Sequence, residues 1–464
     1  MSTRAADAAR WREHLARAPN DAIAWHNLAA AEGDLGRASV ATSAAQRAVA
    51  LGGTAAETRL VLARALQSLG RLDEAAAAFK DAIARKPAYA DAHRDYAQLV
   101  WMRTGSMEDA LERLDAAILA APSDASLHLV RSIVLEFTGD SEAALEAARV
   151  GLARAPDDTD LLLRTAHLEA EGGDAARGLS LAERASALAE RDSGPGTVQR
   201  RHRAAIARCE VLLALGRIEA VESILAPLIA AMPDNQYLLA LRATTLRIRA
   251  DPGYAALHDY DRLVATRMLS PPAGWSLSAF VADVATELES MHRFVAHPFQ
   301  QSVRGGGQLT FSEDDMRRPA IGALFQSIAA AVQAHLAALG SGRDPMRARN
   351  TGRAAFTGAW SVRLASGGSH VDHVHPHGWL SSACYLSLPE TIGTGLESSR
   401  GPDRSGWLRL GQPGVRTAPS LAADHYVRPE PGLLALFPAY MWHGVEPFTS
   451  RTPRLTVAFD VIPG

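Results

Sequence analysis

Four histidines, His370, His373, His375 and His377, fall within eight consecutive residues, and His443 lies in a second tract, LLALFPAYMWHGVEPF. Neutral imidazole is the commonest side-chain ligand of a transition metal. Alternate residues of a strand project to one face, so His373 and His375 can aim two nitrogens at one ion while His443 closes the site from an opposed strand. Two or three nitrogens with open positions suit Fe(II) chemistry or a catalytic zinc better than a closed structural zinc. A lone histidine is more often a hydrogen-bonded core or surface residue; a cluster beside apolar strands reverses that preference.

Arg454 stands 11 residues after His443 at the head of RLTVAFDV, with Thr456 two places on and therefore on the same strand face. A guanidinium is a planar fork matched to a carboxylate, and a neighbouring hydroxyl adds a donor. A dicarboxylate co-substrate can anchor there. Trp360, Tyr385, Phe437 and Trp442 are candidates for the pocket wall, although each aromatic is more often simple core. Tyr385, on the strand after the histidine tract, is the one best placed to touch a co-substrate.

Such residues need a β framework. Beyond residue 355 the apolar runs are short and alternating: FTGAWSVRLA, LSSACYLSLP, GWLRLG, HYVRPE, GLLALFP and RLTVAFDVIP. Gly, Pro and Ser separate them in the manner of a sandwich or jelly roll. Helical stretches over 277–294 and 320–339, the second stopped by Gly340, predict a helical layer ahead of the strands. Gly305 to Gly307 lack the Lys-Ser/Thr of a phosphate loop and read as a flexible loop near the site mouth. No G-x-S-x-G elbow occurs, which disfavours an α/β-hydrolase.

The first half has another rhythm. Turn glycines recur at Gly36, Gly70, Gly105, Gly139 and Gly173, at intervals of 34, 35, 34 and 34, and again at Gly216 after 43. Pro87, Pro122, Pro156 and Pro233 fall 17 residues after their glycines, so each period holds two helices. Small residues such as Ala75 and Ala82, seven apart, share a face on which a neighbouring helix can approach closely. The long interval predicts an insertion around RDSGPGTVQRRHR. This pattern resembles the tetratricopeptide repeat, including Trp25 and Leu28 in its W-x2-L position, over roughly residues 8 to 250. The resemblance implies an α-solenoid whose concave face binds a peptide or protein. The array can also serve only to pack against the second half or to form a homodimer. Pattern and composition change at the ADPG break, residues 250 to 253, giving expected domains of 1–250 and 251–464 in a multidomain α + β chain.

Over 464 residues, Lys plus Arg number 48 and Asp plus Glu 51, a net charge of −3 that offers no broad footprint for nucleic acid or an anionic membrane. Cys209 and Cys384 are too few and too far apart for a disulfide scaffold. The N-terminus lacks a signal-peptide core, and no later segment reads as 18 apolar residues free of charge. The expectation is a cytoplasmic protein without a membrane or nucleic-acid partner.

Taken together, HVHPHGWLSSACYLSLP, PGLLALFPAYMWHGVEPF and R-x-T-x-A-F-D resemble the 2-oxoglutarate and Fe(II)-dependent oxygenase family, and HPFQQSVRGGGQ, starting at His297, resembles a segment preceding its barrel. The resemblance spans roughly residues 290 to 464. It implies a double-stranded β-helix, Fe(II) held by His373, His375 and His443, and 2-oxoglutarate bound through Arg454 with Thr456 and Tyr385. It also implies consumption of O2, with conversion of the co-substrate to succinate and CO2 and hydroxylation of a peptide, protein or small molecule. The wider superfamily uses His-x-Asp, whereas the matching tract here reads His373-Val-His375. A literal His370-Val-Asp372 lies just upstream as an alternative first pair. On an unbroken strand the two pairs have opposite parity and cannot both face the metal; the loser, Asp372, could then orient a ligand from behind. Competing readings are a repeat scaffold with a silent barrel, and a cupin-like metal barrel without 2-oxoglutarate, from which Arg454 is the distinguishing feature.

Overall fold

The computed structural model describes residues 3–398 and 401–464. It divides into two compact units, Met1–Ala155 with Ser312–Asp315, and Pro156–Phe311 with Met316–Gly464. In the first, helices of 13 to 15 residues follow one another from Thr3 to Arg154. The glycines that set the period end these helices or their turns with positive φ, as at Gly105 (68°) and Gly139 (108°). Glycine is favoured there because a Cβ is disfavoured in the left-handed region. After Gly105 and Gly139 the next residue caps the following helix: Ser106 accepts from the amide of Asp109, and Asp140 from that of Ala143.

The repeat pattern continues into the second unit. Helices Thr159–Gly172, Ala175–Arg191, Thr197–Ala214, Ile218–Ala231 and Gln236–Ile248 belong to the same compact body as the sheet. The long glycine interval is taken up in lengthened helices of 17 and 18 residues joined by a short turn, with Arg201 of the second helix donating to the carbonyls of Ala189 and Glu190 in the first.

The sheet is antiparallel. Its strands are β1 (Ala265–Met268), β2 (Val303–Thr310), β3 (Ala354–His373), β4 (Leu380–Ser387), β7 (Leu408–Leu410), β8 (His425–Val427), β9 (Leu433–Pro438), β10 (His443–Val445) and β11 (Arg454–Pro463), with β5 (Glu397–Ser398) and β6 (Gly401–Pro402) forming a separate pair. Their order is β1-β9-β4-β11-β3-β10-β7-β8, with β2 added on β3, giving a curled jelly-roll-like sheet. Alternation sorts β11 cleanly. Leu455, Val457, Phe459 and Val461 enter a core with Phe280, Val284 and Leu288 of the helix Leu277–Met291 and with Ile321, Leu324 and Ile328 of the helix Pro319–Leu339. Arg454, Thr456 and Asp460 take the other face.

Two expectations change here, and one strand is new. Gly305 to Gly307 lie within β2 and not in a loop: a Cβ on Gly306 would stand 2.4 Å from the Arg363 carbonyl oxygen and one on Gly307 2.5 Å from that of Phe294. These glycines admit close backbone approach between strands. Strand β1 carries no alternation that singled it out, and it forms by pairing with β9. The helix Pro319–Leu339 is, among the described residues, long and apolar enough to cross a membrane, contrary to the reading of the sequence. Its Ile321, Leu324, Ile328, Val332 and Leu336 instead form an i, i+3, i+4 stripe buried in the core over the sheet.

Candidate metal centre

Strand pairing brings the two histidine tracts together. His443 of β10 is the direct cross-strand partner of His373 at the end of β3, and Val445 pairs with His370. Two residue steps on β10 thus span three on β3. That extra residue is a β-bulge, and it puts His370 and His373 on the same face despite their odd spacing. The strand is broken just where the parity argument required it to be continuous. His375 follows the end of β3, with its amide donating to the carbonyl of Ala439.

The imidazole rings of His373 and His443 are 4.1 Å apart between centroids, and those of His375 and His443 5.0 Å. One potential ligand nitrogen from each of His373, His375 and His443 lies within 4.8 Å of the others. In each ring Nδ1 is already committed. That of His373 donates to the Val371 carbonyl (2.9 Å), that of His443 to the Met441 carbonyl (2.9 Å), and that of His375 to Asp460 Oδ2 (2.5 Å). Nδ1–H donation leaves Nε2 with its lone pair, so the tautomer suited to metal binding is set by the fold. Burial, reinforced by the neighbouring imidazoles, pushes His373 down to about 3 and His443 well below the ordinary histidine range, holding both neutral. The donor set fits a divalent transition metal with open positions.

Asp460 was not singled out from the sequence. Its other oxygen accepts from the Ser381 hydroxyl (2.9 Å), so the carboxylate that orients His375 is itself held. The signal was available: Asp460 lies six residues after Arg454 and four after Thr456, on the same alternating face. Trp360 stacks on His375 at 5.3 Å and Phe437 meets His443 edge-on at 4.8 Å, which places both in the wall of the site. Trp442 is not there. Its indole donates to Thr244 (3.0 Å) and packs against Tyr237, on the side of β10 facing the helices. His377 is exposed and apart from the cluster.

Asp372 is engaged elsewhere. Both its oxygens take a bidentate contact from Arg409 at 2.8 Å, and Gln412 adds a third hydrogen bond at 2.9 Å. Its carboxylate therefore braces β3 against β7 and stands outside the group of three converging histidines. His370 lies beside that group, 6.0 Å from His373 between ring centroids, with Nδ1 hydrogen-bonded to Ser302 at 3.0 Å.

Arg454 is 1% exposed, and no carboxylate forms an ion pair with it among the described residues. Its Nε and the hydroxyl of Tyr385 are buried without hydrogen-bond partners, and its guanidinium carbon sits 5.1 Å from the Tyr385 ring centre. Burial drives the Tyr385 phenol up to about 12, with the Arg454 charge pulling the other way. Thr456, 4% exposed, pairs directly with Tyr385 across β11 and β4. An unpaired buried guanidinium costs several kcal/mol unless an anion joins it.

Residues 358–460 match the family described as "Putative 2OG-Fe(II) oxygenase". Residues 66–133 match tetratricopeptide repeats. Solved structures that resemble the chain include TTC0263, a thermophilic tetratricopeptide-repeat protein in Thermus thermophilus, at 23% identity over 40% of this chain and 98% of that one with a TM-score of 0.31. PilW, a type IV pilus biogenesis factor, is 20% identical over 46% of this chain and 94% of its own, with a TM-score of 0.35. The Cut9–Hcn1 hetero-tetramer of the APC/C is 15% identical over 54% and 48%, with a TM-score of 0.38. No curated protein matches the chain. The matched span of the oxygenase domain contains all three converging histidines, Tyr385, Arg454, Thr456 and Asp460.

Proposed function

We propose that this protein is a 2-oxoglutarate-dependent Fe(II) dioxygenase, a hydroxylase whose repeats recruit a peptide or protein substrate, working in the cytoplasm. His373, His375 and His443 would hold the iron, and Arg454, Thr456 and Tyr385 the co-substrate. The observation that carries this reading is the unpaired, buried Arg454 on the same strand face as the carboxylate that orients His375.

Ala458 pairs with Trp360, which stacks on His375, and Asp460, which holds His375, lies two residues further along β11. Arg454 stands four residues from Ala458 along the strand, about 13 Å at roughly 3.3 Å per residue. Arg454 and Thr456 would hold the far carboxylate of 2-oxoglutarate, and its keto-acid end would lie at the histidines. When bound, iron supplies the activation of oxygen that couples decarboxylation of the co-substrate to oxidation of a second substrate. The chain's own residues do the placing. Asp460 keeps the His375 proton on Nδ1, two backbone carbonyls do the same for His373 and His443, and Trp360 and Phe437 exclude water from the adjoining wall.

The test is succinate release from 2-oxoglutarate by anaerobically iron-loaded protein given oxygen, compared with His443→Ala. Release by the wild type that falls at least about a hundredfold in the variant supports the assignment; equal release in both removes His443 from the metal site.

A further inference from the structure

We propose that the helix Gln236–Ile248, the last of the repeat helices, is part of the metal centre: through Thr244 it fixes Trp442 and so positions the neighbouring His443. The proposal rests on the metal-site reading above and adds to it a positioning residue, Thr244, that lies outside the matched barrel span, residues 358–460.

One helix reaches both histidine tracts. At its start the amide of Gln236 donates to the carbonyl of Pro376, the residue after His375 (3.4 Å). Val374, between His373 and His375, and Trp442, just before His443, both enter an apolar core with Leu238 and Leu241 of this helix and with Val211 and Leu225 of the two helices before it. Further along, the grip on Trp442 is double. Thr244 accepts the indole N–H (3.0 Å) while its own hydroxyl donates to the Ala240 carbonyl (2.9 Å), so the accepting lone pair is held in place. Arg247, one turn on, donates to the Gly411 carbonyl (2.9 Å), and the Gly411 amide donates to the Trp442 carbonyl (2.8 Å). Tyr237 meets the indole edge-on at 5.7 Å between ring centres.

Thr244 and Trp442 are both buried, so loss of the acceptor leaves the indole N–H unsatisfied away from water. Consecutive Cα atoms are about 3.8 Å apart, and metal–ligand distances hold to within about 0.2 Å. A backbone shift of that size at Trp442 passes directly to His443 and alters ligation. The sequence carried no sign of this role, because Thr244 lies in a repeat helix 199 positions before His443 and its contact is made only by folding.

The experiment uses the full chain with Co(II) as the probe of the histidine site: calorimetry reads affinity, d–d absorption reads ligand geometry, and urea unfolding reads stability. In Thr244→Val, which keeps the shape and removes the acceptor, Co(II) affinity should fall about tenfold, the lower end of what disturbing a group that orients a ligand costs, and the d–d band should shift or weaken. Thr244→Ser keeps the hydroxyl and should restore both to within about twofold of wild type. Trp442→Phe should weaken Co(II) at least as much, and adding Thr244→Val to it should cost no more than about twofold further, since both remove the same bond; Trp442→Phe serves if Thr244→Val does not fold. Ile328→Val, in the separate core of the helix Pro319–Leu339, should lower stability and leave affinity and band unchanged. Unchanged affinity and band in folded Thr244→Val or Trp442→Phe overturn the proposal and leave the bond a role in stability alone. So do a failure of Thr244→Ser to restore them and an equal loss in Ile328→Val. A wild type that binds no Co(II), or binds it as well after His443→Ala, removes the metal-site reading instead.

Discussion

The repeat helices and the barrel pocket treat polar groups in opposite ways. In the helices the end caps are local, Ser106, Asp124 and Asp140 each satisfying an amide two or three residues away, while ion pairs such as Arg64–Asp95 link one repeat to the next. Around the histidine site His375 finds Asp460 85 residues on, the neighbouring Asp372 finds Arg409 37 residues on, and Arg454 forms no ion pair among the described residues. A frame built from short-range rules tolerates replacement one piece at a time. A site assembled from distant strands does not, and its unsatisfied buried groups, Arg454 Nε and the Tyr385 hydroxyl, are where the proposed co-substrate would complete the structure.

The sharpest contrast comes from the converging histidines. His373→Ala or His443→Ala should lower divalent metal affinity by about a thousandfold or more, since each removes one of three ligands; calorimetric titration reads this directly. Arg454→Met should reduce 2-oxoglutarate affinity about a hundredfold, as expected for losing a charge-assisted bidentate contact. The same variant should keep or raise the apo protein's stability in urea unfolding, because it replaces an unpaired buried charge by an apolar side chain of similar volume. A strongly destabilised Arg454→Met would mean that the guanidinium serves the fold and not a ligand.

Asp460→Asn should cost about 10- to 100-fold in metal affinity by disturbing the group that orients His375. Asp372→Asn separates the two candidate pairs: it should lower stability by about 3 kcal/mol through the broken Arg409 contact and leave metal affinity within about threefold. At the far end, Gly105→Ala should cost about 1 kcal/mol of stability through its positive φ and change neither ligand.

Acid also bears on the contrast. His373, His258, His292 and His335 are pushed down by burial, to about 3 for the first and about 4 for the others. For His335 the nearby Arg267 charge adds to the effect of burial. These groups stay neutral in the folded protein but take up protons once unfolded, near their ordinary value of about 6.5. Their contribution is therefore intact above about pH 6.5 and is lost as pH falls toward the folded values, by up to about 1.4 kcal/mol per pH unit for each group. Urea midpoints of the metal-free protein measured between pH 7 and pH 4 should decline accordingly.

The frame was largely legible in the sequence because its determinants are local. Glycine spacing located the helix turns, alternation located β3, β4, β9 and β11, and the position of Gly340 ended the helix Pro319–Leu339. The residue types of the site were legible as well, since few reasons bring His373, His375 and His443 into two tracts flanked by apolar strands. What could not be read was the outcome of pairing. The bulge opposite Val445 reversed the facing of His370, and the partner of Asp372 lay on a strand of three residues. Trp442 sits next to a pocket histidine in sequence, yet alternation turns its ring to the opposite side, toward Thr244. The glycines of β2 looked like a loop because their use, letting β3 and Phe294 come close, depends on neighbours absent from their own segment. Asp460 is the exception: the parity of β11 put it on the face of Arg454, and only its distance from the histidines in sequence concealed it.

The central claim is that three imidazoles gather one iron beside a guanidinium awaiting a diacid. Anaerobic titration of Fe(II) into the full chain with 2-oxoglutarate present, followed by visible charge-transfer absorption, tests it most directly. The expected outcome is saturation at one iron per chain for the wild type, no band with the combined His373→Ala, His375→Ala and His443→Ala variant, and no band with wild type when 2-oxoglutarate is omitted. An equally intense band at the same stoichiometry in the triple variant would contradict it.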